Sequence, residues 1–159
     1  LLVTFGVRGR SLSAVVNKTD LNFRCCVLAD RHHGMSDGMR SLLDPTFEVL
    51  VMVADEKSLF ETIERMPVDL AVVDLSLTRK DGIKVIKRLR LQFPGLKLIA
   101  ISVSDEPSVG RATMRAGANG FVPKRTIAME LFPAVEAVLA GQSYHPLSGI
   151  AGRPDQRER

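Results

Sequence analysis

The sequence has no tryptophan, one tyrosine and two cysteines. So few aromatic rings argue against a surface on which single-stranded bases stack. The cysteines, Cys25 and Cys26, are chain neighbours. Adjacent residues of an extended strand point to opposite faces, so these two are poorly placed to bridge each other. With no CxxC pair and no disulfide framework, the expected setting is the reducing cytoplasm. An excess of one charge is also missing. The formal net charge is +4 and the basic residues are scattered, which gives no argument for nucleic acid. Long apolar runs are absent too. The chain opens on apolar residues, but Arg8 and Arg10 interrupt them well short of a membrane span. No small-residue cleavage site follows a long apolar core. Residues 1–23 are therefore read as a flexible N-terminal extension, and no membrane association is expected.

What the chain does have is apolar content, 45% of its residues, in a length that suits one domain with a real core. From residue 25 short apolar runs alternate with amphipathic segments. The runs are 25–29, 47–53, 70–73, 96–101 and 120–122. Most are rich in Val, Ile and Leu with little polar alternation, as expected of strands covered on both faces. Between them lie helical stripes. Met35, Met39, Leu42 and Leu43 form the first. Ser58 and Glu61 make a capping-box pattern ahead of Leu59, Phe60, Ile63 and Met66. Ile83, Ile86, Leu89 and Phe93 form a third stripe that Pro94 and Gly95 stop. Pro107 is placed to open a fourth helix ending at Gly117. Thr126 is placed to cap a fifth, whose Pro133 should kink or shorten it. This alternation predicts an α/β domain with a parallel sheet over residues 24–140. Residues 141–159 carry Gly, Pro and charge without apolar period and are read as a flexible C-terminal tail.

In open α/β sheets, sites form beyond the carboxyl ends of the strands. The first run closes on Asp30, the third on Asp74 and the fourth on Ser102, and the fifth is followed by Lys124. Two acids, a hydroxyl and an amine would thus share one edge of the sheet. A single aspartate at a strand end is usually a turn or cap residue. The company of Ser102 and Lys124 makes Asp74 the candidate chemical centre.

Five stretches, Val27-Leu28-Ala29-Asp30, the segment from Val68 to Leu75, Lys80-Asp81-Gly82, Ile99-Ala100-Ile101-Ser102 and the segment from Ala116 to Lys124, carry a resemblance over roughly residues 25–140. They resemble the CheY-like receiver domain of two-component response regulators, in the style of receivers from LuxR-type regulators. The resemblance implies a flavodoxin-like, doubly wound (βα)5 fold with strand order 2-1-3-4-5. It implies that Asp74 accepts a phosphoryl group from a sensor histidine kinase, that Lys124 and Ser102 hold phosphoryl oxygens, and that Phe121 is the switch aromatic that turns inward. It also implies Mg²⁺ held by Asp30, Asp74 and the backbone carbonyl of Ser76, an output protein of unknown identity as partner, and a dimer through the fourth and fifth helices. No enzyme activity of its own is expected. No helix-turn-helix pattern follows residue 141, so direct DNA binding by this chain is not expected.

The chain departs from the pattern at one telling place. The family closes its first strand with two neighbouring acids, and here Arg31 follows Asp30. An arginine would repel Mg²⁺ or pair with Asp74. Asp105 and Glu106 lie in the next loop but do not obviously replace the lost ligand, and Leu77-Thr78-Arg79 stands where the family often has a Met-Pro pair. The alternative reading is an atypical receiver that works as a phosphorylation-independent interaction module. A second alternative is a haloacid-dehalogenase-like phosphatase, suggested by the segment from Asp74 to Thr78. That family needs a second acid where this chain has Ser76, and a nucleophile on its first core strand. The adjacent His32 and His33 have poor spacing for one ion and are read as surface residues. The basic run Lys84, Lys87, Arg88 and Arg90 is read as a solvated helix face.

Overall fold

The structure, a computed structural model, describes residues 24–146. The expected extension at 1–23 and the last part of the expected tail, 147–159, lie outside the described residues. Five parallel strands form one sheet: β1 (Cys25–Ala29), β2 (Val49–Val53), β3 (Leu70–Asp74), β4 (Lys97–Ser102) and β5 (Gly120–Pro123), in the order β2-β1-β3-β4-β5. Helices α1 (His33–Leu43), α2 (Glu56–Arg65), α3 (Gly82–Gln92), α4 (Pro107–Ala116) and α5 (Ile127–Leu139) connect them or follow them. This is the flavodoxin-like arrangement.

Apart from Lys97 at the start of β4 and Asp74 and Ser102 at the ends of β3 and β4, the strands are apolar, because both faces are covered. Along β1, Cys25, Val27 and Ala29 join one core cluster, with side chains of α2 and α3, while Cys26 and Leu28 join the other, with side chains of α1 and α5. The two cysteines thus sit on opposite sides of the sheet, both as free thiols. Burying one Leu, Ile or Val of this kind contributes about 1.5–3 kcal/mol. Met39 and Leu43 of α1 and Leu131, Val135 and Val138 of α5 make their layer of the core. Met35, expected on the same α1 stripe, has its side chain outside the described residues.

Local signals at the helix ends differ from expectation in three places. The N-cap of α2 is Asp55 rather than Ser58. Its carboxylate accepts the backbone N–H of Ser58 at 2.8 Å and the Ser58 hydroxyl at 2.9 Å. A carboxylate that takes both donors begins the helix before the capping box can. Thr126 stands at the head of α5, but its hydroxyl donates to the Pro123 carbonyl instead of capping. Pro133 does not shorten α5, which runs on to Leu139. Its ring lies on the exposed side, and Leu131, Ala134, Val135 and Val138 hold the helix to the sheet through the opposite face. Pro107 does open α4, and Gly117 closes it with φ of 115°.

The chain beyond α5 is expected from its sequence to be a flexible tail over residues 141–159. Through residue 146 it instead turns back at Gly141, whose φ is 83°, and runs beside β5, where Tyr144 forms a parallel bridge with Gly120.

Of the basic run on α3, Lys84, Lys87 and Arg88 are exposed, as expected, and only Arg90 is half-buried. Arg88 pairs with Glu56 and lies over the Phe60 ring. Arg90 is half-buried and donates to the carbonyls of Gly117 and Pro94 and to Asn119 Oδ1. It therefore ties the end of α3 to the turn between α4 and β5.

Candidate functional site

The register of the sheet places the site. Ala29 of β1 pairs with Val73 of β3, so the residues that follow, Asp30 and Asp74, emerge side by side. Asp74 pairs with Ile101, and Ser102 pairs with Pro123, so the ends of β4 and β5 are flush with them. All four strand-end groups are buried although polar: Asp30, Asp74, Ser102 and Lys124. Such burial demands partners.

Lys124 supplies them. Its ammonium lies 3.1 Å from Asp30 Oδ2 and also bonds Asp74 Oδ2. The rest of the Asp74 carboxylate is held by its own loop. A 3-10 turn at Leu75–Leu77 brings the Ser76 N–H to within 2.9 Å of Oδ1 and the Ser76 hydroxyl to within 2.8 Å of Oδ2. Burial opposes ionisation of Asp74, but the hydrogen bonds from Lys124 and Ser76 and the charge of Lys124 outweigh it. The carboxyl is therefore held below the usual aspartate range. Burial likewise works against the charge on Lys124, and its two carboxylate partners overcome it, raising the ammonium above the usual lysine value. The centre is a carboxylate fixed in its ionised form against a fixed cation.

The Ser102 hydroxyl accepts the Ser104 N–H at 3.0 Å. Phe121 is buried in the core. Arg31 is half-buried and forms no salt bridge among the described residues; of the two roles considered for it, pairing with Asp74 falls to Lys124. Asp105 is spent on an ion pair with Arg125, 2.8 Å away, which clasps the loop after β4 to the turn after β5.

His32 is exposed, as read from the sequence, but it also borders the site. Its N–H donates to Asp30 Oδ1 at 2.8 Å, and its ring nitrogen Nδ1 lies 3.4 Å from the same oxygen. Asp30, His32 and Asp74 offer donor atoms within 4.8 Å of one another. The signal was present in the chain, since a residue two places after a strand-end aspartate can donate its N–H back to that carboxylate. His33 opens α1, and its side chain is outside the described residues.

The match to known proteins agrees with this geometry. The family model of the response regulator receiver domain matches residues 26–136. The chain belongs to that family. Among characterised relatives, it is 29% identical over 122 residues to the Fimbriae Z protein of Salmonella typhimurium, covering 76% of this chain and 58% of that protein. It is 28% identical over 123 residues to the transcriptional regulatory protein DegU of Brevibacillus brevis, covering 76% of this chain and 52% of that one. The receiver thus spans little more than half the length of these relatives. Among solved structures, a LuxR family DNA-binding response regulator from Silicibacter pomeroyi superposes with a TM-score of 0.66 at 27% identity, covering 79% of this chain and 98% of that one. The isolated receiver domain of RcsB from Salmonella enterica superposes with a TM-score of 0.71 at 24% identity, covering 80% of this chain and 96% of that one, and shares the fold. No helix among the described residues is long and apolar enough to cross a membrane.

Proposed function

We propose that this receiver accepts a phosphoryl group on Asp74 from the phosphohistidine of a sensor kinase and passes the change to an output partner. The observation that carries the reading is the buried contact of Lys124 with both Asp30 and Asp74 at the carboxyl end of the sheet. In the transfer, an oxygen of the ionised Asp74 forms the new O–P bond while the donor's N–P bond breaks and its imidazole keeps the electron pair. The protein has little covalent work to do, so it contributes position and charge. Lys124 would move its ammonium from the carboxylate to a phosphoryl oxygen, and the Ser76 N–H would hold the remaining carboxylate oxygen. Ser102 would exchange its bond with the Ser104 N–H for one to another phosphoryl oxygen, which would draw the loop after β4 towards the site.

The residues suit Mg²⁺ in part. Asp30 and Asp74 are hard oxygen donors close enough to share one ion. They would hold it together with the Ser76 carbonyl, and such an ion would offset charge on the phosphoryl group. Arg31, in place of the second acid, weakens that set by charge.

The test is incubation with acetyl phosphate and Mg²⁺, followed by intact mass. A phosphoryl adduct that disappears in Asp74→Asn is the expected result, and no adduct at any Mg²⁺ concentration would overturn the reading. That second outcome would favour the other reading, a constitutive interaction module in which Lys124 permanently neutralises the two carboxylates. Arg31 at the metal position is the observation that favours it. The position of Asp74 on β3, and Ser76 two residues on, speak against a phosphatase of the haloacid-dehalogenase type.

A further inference from the structure

β5 is an edge strand, and an edge strand presents unpaired N–H and C=O groups to one side. Here the protein covers that edge with its own chain. After Gly141 turns the backbone out of α5, the Tyr144 N–H donates to the Asn119 carbonyl at 2.9 Å, and the Phe121 N–H donates to the Tyr144 carbonyl at 3.0 Å. Tyr144 packs against the α1–α5 core cluster, and Pro146 is buried. His145 sits against the inner end of the same strand. Its ring centroid is 6.1 Å from that of Phe121, with the planes 32° apart. The space for the ring exists because residue 110 of α4 is glycine: a Cβ there would stand 2.8 Å from His145 Nε2 and 3.2 Å from Phe121 Cδ1.

The two ends of β5 are therefore gripped by different parts of the molecule. At its carboxyl end, Lys124 is held between Asp30 and Asp74. At its amino end, Gly120 and Phe121 are held by residues 144–146. The strand between is only four residues long. Packed interiors pass such displacements on rather than absorbing them. A shift of Lys124 moves a short rigid strand, and the Tyr144 bridge and the Phe121–His145 contact lie on its far end.

We propose that residues 144–146 are an intramolecular strap on β5 whose docking depends on the Asp30–Asp74–Lys124 cluster, with Phe121 and His145 as the joint. In that role the strap carries the state of the carboxylate cluster to the chain beyond residue 146. The coupling is reciprocal, as any linkage between two sites must be. The proposal does not require Asp74 to be a phosphoryl acceptor, only that Lys124 respond to its charge.

Amide hydrogen exchange on the full chain tests it, followed at Phe121 and Tyr144 with Cys26 of β1 as internal control. Asp74→Asn should speed exchange at the Tyr144 amide by at least about fivefold relative to the control, within the usual range of inter-site coupling. His145→Ala changes an exposed side chain outside the cluster, so the variant keeps the fold. It should speed exchange at Phe121 and Tyr144 alike and leave the control unchanged. A merely packed terminus would respond to His145→Ala and not to Asp74→Asn, and that pattern overturns the proposal. So does an unchanged Tyr144 amide in both variants. If Asp74→Asn loosens the control amide as well, exchange at Tyr144 is read as a ratio to exchange at Cys26: a ratio raised above that of wild type supports the strap, and an unchanged ratio rejects it.

Discussion

Lys124 Nζ lies 3.1 Å from Asp30 Oδ2, although 94 residues separate them in the chain. The same ammonium bonds Asp74, so one cation closes three ends of the sheet, those of β1, β3 and β5. Such a buried cluster is costly to assemble and more costly to break, because each group left behind is a charge without a partner. Its behaviour gives the first prediction.

Lys124→Met should destabilise the domain by about 3–5 kcal/mol at neutral pH, the usual cost of orphaning a buried charge. In the wild type, Asp74 has a lowered pKa in the fold. Its contribution is present above the unfolded value of about 4 and is lost as pH falls through the folded value. Lys124 has a raised pKa. Its contribution is complete below the unfolded value of about 10.4 and is lost as pH rises through the folded one. The gap between wild type and variant should therefore be widest between those limits and shrink on either side. Urea denaturation across a pH series measures it, and a gap independent of pH would count against the ion-pair account.

Arg31→Asp should tighten Mg²⁺ binding at least about tenfold, equivalent to about 1.4 kcal/mol, because a carboxylate replaces a cation beside two carboxylates. Arg31→Ala should fall between the two. Isothermal titration calorimetry on the unmodified protein reads this without any phosphorylation. Equal affinities for all three proteins would show that residue 31 does not face the ion.

Gly82→Ala should disturb the turn that orients Asp74. A Cβ at residue 82 would stand 1.9 Å from the Leu75 carbonyl oxygen, which is backbone and cannot swing aside. Overpacking of this kind costs about 1–3 kcal/mol or more. It also presses on the 3-10 turn that delivers the Ser76 N–H to Asp74. Asp81→Ala, which removes the α3 cap that accepts from Ile83 and Lys84, should cost only about 1 kcal/mol. Thermal unfolding of the two variants side by side checks the order, and a milder effect from Gly82→Ala would refute it.

The thiols should be silent until the domain opens. Burial, with the charge of Asp69, pushes Cys25 up to about 11, and burial holds Cys26 well above the usual thiol value. Thiolate is the reactive form. Maleimide at neutral pH should label neither cysteine in the native protein and both in urea. Labelling at the rate of a model thiol in the native state would contradict the buried placement of β1.

Much of the site was legible because of one constraint. A strand covered on both faces tolerates only apolar side chains, so the first polar residue after each run marks where the sheet surfaces. Asp30, Asp74, Ser102 and Lys124 all stand out by that rule. His32 did not, because its place depends on a backbone N–H turning back to Asp30, which no pattern of hydrophobicity records. The α2 cap was misplaced for a related reason. Asp55 and Ser58 are both competent caps, and the choice rests on which donors the carboxylate captures. Pro133 misled because its effect depends on which side of α5 faces the sheet.

By itself the sequence determined the βα alternation, the two-sided burial of the sheet and the identity of the polar groups at its edge, since these follow from periodicity and from the cost of burying an unpaired polar group. Only the tertiary structure decided who pairs with whom. Lys124 rather than Arg31 became the cation of Asp74, because parallel register sets the end of β5 level with β1 and β3, whereas Arg31 is half-buried outside that contact. The strap on β5 was decided there as well, because an edge strand recruits whatever chain lies beside it, and only the fold brings residue 144 to residue 120.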